Sequence, residues 1–266
     1  MIKKRHVLLG GLGLLWWLTK PQRRDQEMLP WQGNFSHRGL HDKDAPENTR
    51  PAFEQSIEHG WGYEFDVQLT KDDQLVIHHD YDGARSFGQD VRLEDLTLAE
   101  LRQFDLFGTD QHIMTLPELL ALTAGRVPII LEIKAEKNTW HISRLVAEVM
   151  DDYAGPFVIE SFHPFVLAWF RIHRPTYIRG QLSYNAFGRS GKTITNFMLT
   201  HYLFNVLARP HFAAHAFEDR NDFGLKLQHW LHQTPLVVYT VQTPREEIEA
   251  RKMFHTIIFE NYRPVK

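Results

Sequence analysis

The chain has 266 residues, 43% of them hydrophobic and 24% charged, with a formal net charge of −3 and no cysteine. That length suits one large α/β domain or two small ones, and the charge excludes the broad basic face of a general nucleic-acid binder. Without cysteine there is no disulfide, no thiolate nucleophile and no cysteine-ligated zinc, and the redox compartment stays open.

Residues 1–33 stand apart from the rest. A basic start, an apolar run over residues 7–18 and a second basic cluster at Lys20, Arg23 and Arg24 mark a membrane-directed segment. As a helix the run covers roughly 18 Å, short of the ~30 Å hydrocarbon core, and it has the length of a signal-peptide core. No small-x-small cleavage pattern follows, and the paired Trp16 and Trp17 suit a headgroup region. The expectation is a membrane-associated, extracytoplasmic protein held by an uncleaved anchor. A cleaved signal, and so secretion, is one alternative; a helix packed on the domain is the other. Basic residues on both sides leave the orientation open.

From residue 34 onward, short apolar runs alternate with helical patterns, as in βαβ units. Strands are predicted over residues 35–38, 63–69, 75–79, 127–134, 157–161, 177–182, 236–241 and 256–259. Helices are predicted over 50–59, 97–104, 117–123, 141–150, 164–173, 222–232 and 245–254. Thr97-x-x-Glu100 has the capping-box pattern, and Pro117 and Pro164 fit first-turn positions. Eight strands with interposed helices predict a TIM-type (β/α)₈ barrel over residues 34–266. A doubly wound sheet is the rival, but no Gly-x-Gly-x-x-Gly follows the first strand. Residues 211–217 read as a further short strand or a loop. The second and third strands are joined only by LTKDDQL, too short for a parallel crossover. They form an antiparallel hairpin, and the barrel is irregular there.

Residues two apart on a strand share a face, so Glu64 pairs with Asp66 and Glu132 with Lys134. Three carboxylates from two strands make a hard-oxygen half-shell for Mg²⁺ or Ca²⁺. The ordinary alternative for any one pair is a solvated strand end or a rim ion pair. His37 and Arg38 close the first strand. An arginine beside a cation site forks onto phosphate oxygens, and a histidine there serves as general acid or base. Gly39 allows close backbone approach, and Pro46-Glu47-Asn48-Thr49 leads into a helix capped by Asn48 or Thr49.

Two adjacent histidines end the hairpin. With an Asp72-Asp73 turn, Ile77 faces Gln68 and His79 faces Asp66, and opposed residues project from the same face. His79 then joins the carboxylates while His78 packs away from them. A three-residue loop shifts the register by one and favours His78 instead.

HRG, PENT, EFDVQLTKDDQLVIHHD and LEIK, in that order, resemble the glycerophosphodiester phosphodiesterase family of the phospholipase-C-like superfamily. The resemblance is strong over the first 45 residues from Asn34, continues through IESFHP, and thins beyond residue 182. It implies a TIM-type barrel that releases glycerol 3-phosphate and an alcohol. By motif, His37 and His79 are the implied acid–base pair; Glu64, Asp66 and Glu132 bind one divalent cation; Arg38 and Lys134 hold the phosphate. The chain departs from the family at Tyr239-Thr240-Val241-Gln242, where W-T-V-N is common, and at Phe259-Glu260, where T-D is common. His78 is an extra histidine, read as a packing residue.

The apolar, aromatic residues 193–207 read as a core-covering helix or as a membrane-facing flap beside the mouth. Three functions compete. The first is metal-dependent hydrolysis of small glycerophosphodiesters. The second is lysophospholipase-D-like action on membrane glycerolipids or on glycerol-phosphate polymers. The third is a non-catalytic barrel that binds phosphoglycerol headgroups.

Overall fold

The computed structural model of the chain describes residues 2–22 and 31–264. Nine strands form one sheet: β1 (Gly33–Ser36), β2 (Gly62–Leu69), β3 (Leu75–Ile77), β4 (Ile129–Ile133), β5 (Phe157–Ser161), β6 (Arg179–Ser183), β7 (Phe212–Ala216), β8 (Leu236–Val241) and β9 (Thr256–Phe259). Eight of them run parallel in the order β1-β9-β8-β7-β6-β5-β4-β2, and a β1–β2 pairing closes the ring. The predicted TIM-type barrel is therefore the observed fold.

Its staves differ from those expected in one place. The 75–79 segment is not a stave: β3 lies outside the ring, antiparallel to the far end of β2. Its place is taken by β7, FAAHA, which lacks the β-branched residues that advertise a strand. Packing makes it one. Phe212 fills the barrel interior opposite Gly180, where a Cβ would fall 2.0 Å from the Phe212 ring.

Both faces of most staves are buried, as parallel barrels require. Phe35, Ile130, Val158, Leu182, Phe212, Val237 and Ile258 fill the interior. On β2, Phe65 and Val67 pack outward with Phe53, Leu116 and Leu119 of the helices Arg50–Glu58 and Leu116–Thr123. Each such side chain contributes about 1.5–3 kcal/mol of transfer free energy. Strand alternation then turns Glu64 and Asp66 inward. The Thr97–Glu100 capping box forms, and a second one forms at Thr115–Glu118. The helix predicted over 97–104 contracts to Leu98–Leu101, and that over 222–232 divides into Phe223–Leu227 and a π-turn, Gln228–His232.

The β2–β3 register is one residue away from the expectation: Val67 pairs with Ile77, Gln68 with Val76 and Leu69 with Leu75. Asp73 adopts φ 59°, which makes a three-residue loop; such loops end in a left-handed residue. Thr70 holds it, donating its hydroxyl to Asp72 Oδ1 at 2.6 Å and accepting from Gln74 N at 2.9 Å. Accordingly His78, not His79, lies opposite Asp66, with His78 N donating to Asp66 O at 3.1 Å.

The N-terminal helix, Ile2–Thr19, ends on the barrel floor, at the pole where β6, β7 and β8 begin. Thr19 O accepts from Asn205 Nδ2 at 2.9 Å and from Gln228 Nε2 at 3.0 Å, and Thr19 Oγ1 meets His232 Nε2 at 2.8 Å. Leu12, Leu14, Trp16 and Trp17 stay exposed. Among the described residues, no helix is long and apolar enough to cross a membrane. Arg23 and Arg24 of the second basic cluster lie outside the described residues. Residues 193–207 form the short helix Ile194–Thr200 and the start of Asn205–Ala208. Leu199 faces a cleft beside the barrel mouth, while Ile194 is exposed.

Candidate active site

The C-terminal ends of the staves bring together all seven residues singled out in the sequence. The parallel register sets Asp66 beside Glu132, and Glu132 beside Glu160. Glu64, Asp66 and Glu132 each offer a carboxylate oxygen, all within 4.8 Å of one another. Lys134 Nζ lies 3.0 Å from Glu132 Oε1 and 3.4 Å from Asp66 Oδ1. Arg38 Nε lies 3.4 Å from Asp66 Oδ2, and its Nη1 donates to Glu47 at 2.7 Å.

The loops after β1 set this geometry. Arg38 and Gly39 both take positive φ, 54° and 82°, and a Cβ on Gly39 would lie 2.9 Å from the Ala52 backbone. Glycine lets the helix Arg50–Glu58 approach that closely. Of the two candidate caps, Thr49 is the N-cap. Asn48 serves the site instead, donating from Nδ2 to Asp66 Oδ2 at 2.9 Å.

Burial and mutual repulsion shape the charges. Burial raises Glu64 well above the usual carboxylate range, and Asp66 and Glu132 add to the effect. Burial also raises Glu132, against the pull of Lys134. Burial opposes ionisation of Asp66 too, but Lys134 and Arg38 outweigh it and hold that carboxyl below its ordinary value. Asp66 Oδ1 and Asn48 Oδ1 are buried without a hydrogen-bond partner. Crowded carboxylates with unsatisfied oxygens and no other donor set fit a divalent cation bound through oxygen.

A histidine stands on either side, each braced by a carboxylate. His37 Nδ1 donates to Glu260 Oε2 at 2.5 Å, while its Nε2 faces Glu64 at 3.9 Å. His79 Nδ1 donates to Asp80 Oδ1 at 2.6 Å. Arg85 locks Asp80 from the far side at 2.7 Å and also bonds Glu47. Burial opposes ionisation of Asp80, but Arg85 and His79 bring it down to about 2. Burial lowers both His37 and His79 below the ordinary imidazole value. His79 senses Asp66, Lys134 and Arg38 directly.

His78 has no free nitrogen. Its Nδ1 bonds Asp80 O at 2.8 Å, its Nε2 bonds Ser86 Oγ at 2.6 Å, and the ring stacks on Phe87. The packing role expected of His78 is thus observed, although the register expected to put it there is not. β3 stops at Ile77, so strand alternation no longer governs the next two residues.

Glu260, Asp80, Glu47, Asn48 and Glu160 join the site without having been singled out for it. The spacing Glu160-Ser161-Phe162 after an apolar run was a usable signal for the fourth carboxyl. Glu160 is fully buried, and its Oε2 has no hydrogen-bond partner. An apolar cleft of about 490 Å³ opens from Glu132 and Lys134 between Phe162–Phe165 and residues 195–204.

Fold and site together define a (β/α)₈ barrel with an acidic, histidine-flanked pocket at its C-terminal pole, where barrel enzymes place their chemistry. The chain belongs to the glycerophosphoryl diester phosphodiesterase family, which it matches over residues 37–255. It is 32% identical over 148 residues to a glycerophosphodiester phosphodiesterase of Bacillus altitudinis, covering 51% of this chain and 60% of that protein. A lysophospholipase D of Rattus norvegicus is 32% identical over 145 residues, 50% of this chain and 44% of that protein. The chain thus spans about half the length of these curated relatives. The crystal structure of a glycerophosphodiester phosphodiesterase from Thermotoga maritima is similar with a TM-score of 0.67 and 26% identity, covering 85% of this chain and 93% of that one.

Proposed function

We propose that this chain is a metal-dependent phosphodiesterase that splits glycerophosphodiesters into glycerol 3-phosphate and an alcohol. One observation carries the reading. His37 and His79 flank the carboxylate triad, and each has its Nδ1 tied to a carboxylate, which leaves Nε2 for substrate. A Mg²⁺ or Ca²⁺ ion held by Glu64, Asp66 and Glu132 would draw charge from the phosphoryl oxygens. Lys134 and Arg38 supply positive charge on the same side. His37 is buried and neutral, and its Nε2 takes the proton of the glycerol hydroxyl next to the phosphate. That hydroxyl attacks phosphorus to form a cyclic phosphate. His79, drawn toward its protonated form by Asp66 and Asp80, protonates the departing alkoxide. Water then opens the cycle with the two roles exchanged. The presence of all five residues His37, Glu64, Asp66, His79 and Glu132 disfavours a non-catalytic headgroup-binding barrel. Phosphorus NMR of glycerophosphocholine incubated with the protein and Mg²⁺ tests the reading: glycerol 3-phosphate is expected, and phosphocholine in its place would refute it.

The apolar cleft favours a second reading, hydrolysis of acylated glycerophosphodiesters, because ligand pockets of 300–1,000 Å³ take apolar groups of that size. Rates on lysophosphatidylcholine and glycerophosphocholine, compared below and above detergent micelle formation, decide between them. Membrane association belongs to the same proposal. Trp16 and Trp17 are exposed on the docked N-terminal helix, with Lys20 and Arg209 over their rings. Flotation with anionic vesicles, lost on replacing both tryptophans, is the expected result. An extracytoplasmic location is part of this proposal and is tested by protease accessibility in intact cells.

A further inference from the structure

A second set of metal-ligating side chains lies across the His37 ring from the carboxylate triad. His37, His41 and Glu260 each offer one donor atom, all within 4.8 Å of one another. Glu260 Oε2 is 2.5 Å from His37 Nδ1 and 3.6 Å from His41 Nε2. Ligands at about 2.0–2.2 Å from a tetrahedral ion stand roughly 3.3–3.5 Å apart. The His41–Glu260 edge already has that spacing, and the His37–Glu260 edge reaches it by opening about 1 Å.

Three further observations support a site here. His41 Nε2 is shielded from solvent and has no hydrogen-bond partner. Gln242 Nε2 donates to the other oxygen of Glu260 at 2.7 Å, which orients the carboxylate as an outer-shell partner does. A separate cavity of about 290 Å³, bordered by His41, Asp42, Glu260 and Tyr262, gives an ion its own entry path. The donor chemistry also differs from that of the triad. Two imidazole nitrogens and one carboxylate oxygen select zinc and its transition-metal neighbours, whereas three carboxylates select Mg²⁺ or Ca²⁺.

We propose that His37, His41 and Glu260 form a second, inhibitory site for a zinc-class divalent ion. A neutral imidazole has one nitrogen lone pair and one ring proton. When His37 Nδ1 gives its lone pair to the ion, the ring proton moves to Nε2, and Nε2 no longer accepts a proton from substrate. The inhibitory half rests on the role given to His37 above; the binding half does not.

The test is a Zn²⁺ titration of the full chain in saturating Mg²⁺, wild type against His41→Ala, reading zinc retained on equilibrium dialysis and phosphodiesterase turnover. Wild type is expected to retain one more equivalent of zinc than His41→Ala and to lose about a hundredfold or more of its turnover. The variant is expected to keep its zinc-free turnover and resist inhibition. Equal zinc retention by both proteins overturns the site. Zinc lost with His41 but without inhibition of the wild type supports the site and overturns the role of His37 as base. His41→Gln, which removes the imidazole but keeps a polar side chain, replaces His41→Ala if the latter melts early.

Discussion

His37 Nδ1 donates to Glu260 Oε2 across 2.5 Å, and that bond joins the C-terminal end of the first stave to that of the last. Burial opposes ionisation of Glu260, but its bonds to His37 and His41 outweigh that and hold the carboxyl below its ordinary range. An ionised Glu260 keeps the ring proton on Nδ1 and leaves Nε2 as the basic nitrogen. Glu260→Gln should therefore lower kcat by about 10–100-fold, the usual effect of losing an orienting partner, with KM nearly unchanged. Steady-state kinetics on glycerophosphocholine read this directly; an unchanged kcat would remove Glu260 from the account.

The adjacent histidines should separate cleanly. His79→Ala should cut turnover by about 10²–10⁴-fold, the range for a general acid or base, and leave the melting temperature near that of wild type. His78→Ala should do the reverse. It abandons bonds to Ser86 and Asp80 and a stacked ring, each hydrogen bond worth about 1 kcal/mol. Kinetics and thermal melts on the two variants settle the assignment, and a reversed pattern would place the wrong ring in the pocket.

This pair also shows how far the sequence could be read. Glu64, Asp66, Glu132 and Lys134 are legible because a stave buried on both faces forces strict alternation. The hairpin register was not, because it depends on one residue, Asp73, entering the left-handed region. His79 was chosen through a register that the structure does not have, and it reaches the pocket because β3 ends two residues earlier. Glu260 and Asp80 escaped because their partners are distant or lie beyond a strand end. β7 was ambiguous because its alanines carry no strand preference, and only Phe212 against Gly180 makes it a stave.

Glu160 gives a pH-dependent stability with a definite sign. Burial raises it well above its ordinary value, and the charges of Glu132 and Asp66 add to this. From about pH 4.5 upward the unfolded chain loses this proton while the folded chain keeps it. Stability therefore falls as pH climbs toward the folded value and is level above it. Glu160→Gln removes the effect, so in chelator its melting temperature should exceed that of wild type by more at pH 8 than at pH 5. A gap that shrinks with rising pH would contradict the stated sign.

Chelation should abolish turnover, and Mg²⁺ or Ca²⁺ should restore it. Either ion should also raise the melting temperature by relieving repulsion among Glu64, Asp66 and Glu132. At a hundred times the dissociation constant the gain is about 2.7 kcal/mol. Glu132→Gln should lose most of that rise, as followed by scanning calorimetry with and without the ion.

The central claim is that His37 and His79 together hydrolyse a glycerophosphodiester in a cation-bound barrel. The most direct measurement is glycerol 3-phosphate release from glycerophosphocholine and glycerophosphoethanolamine in Mg²⁺ or Ca²⁺, by wild type, His37→Ala and His79→Ala. The account predicts turnover by wild type and a loss of about 10²-fold or more in each variant. Full turnover in either variant, or none in the metal-loaded wild type, would contradict it.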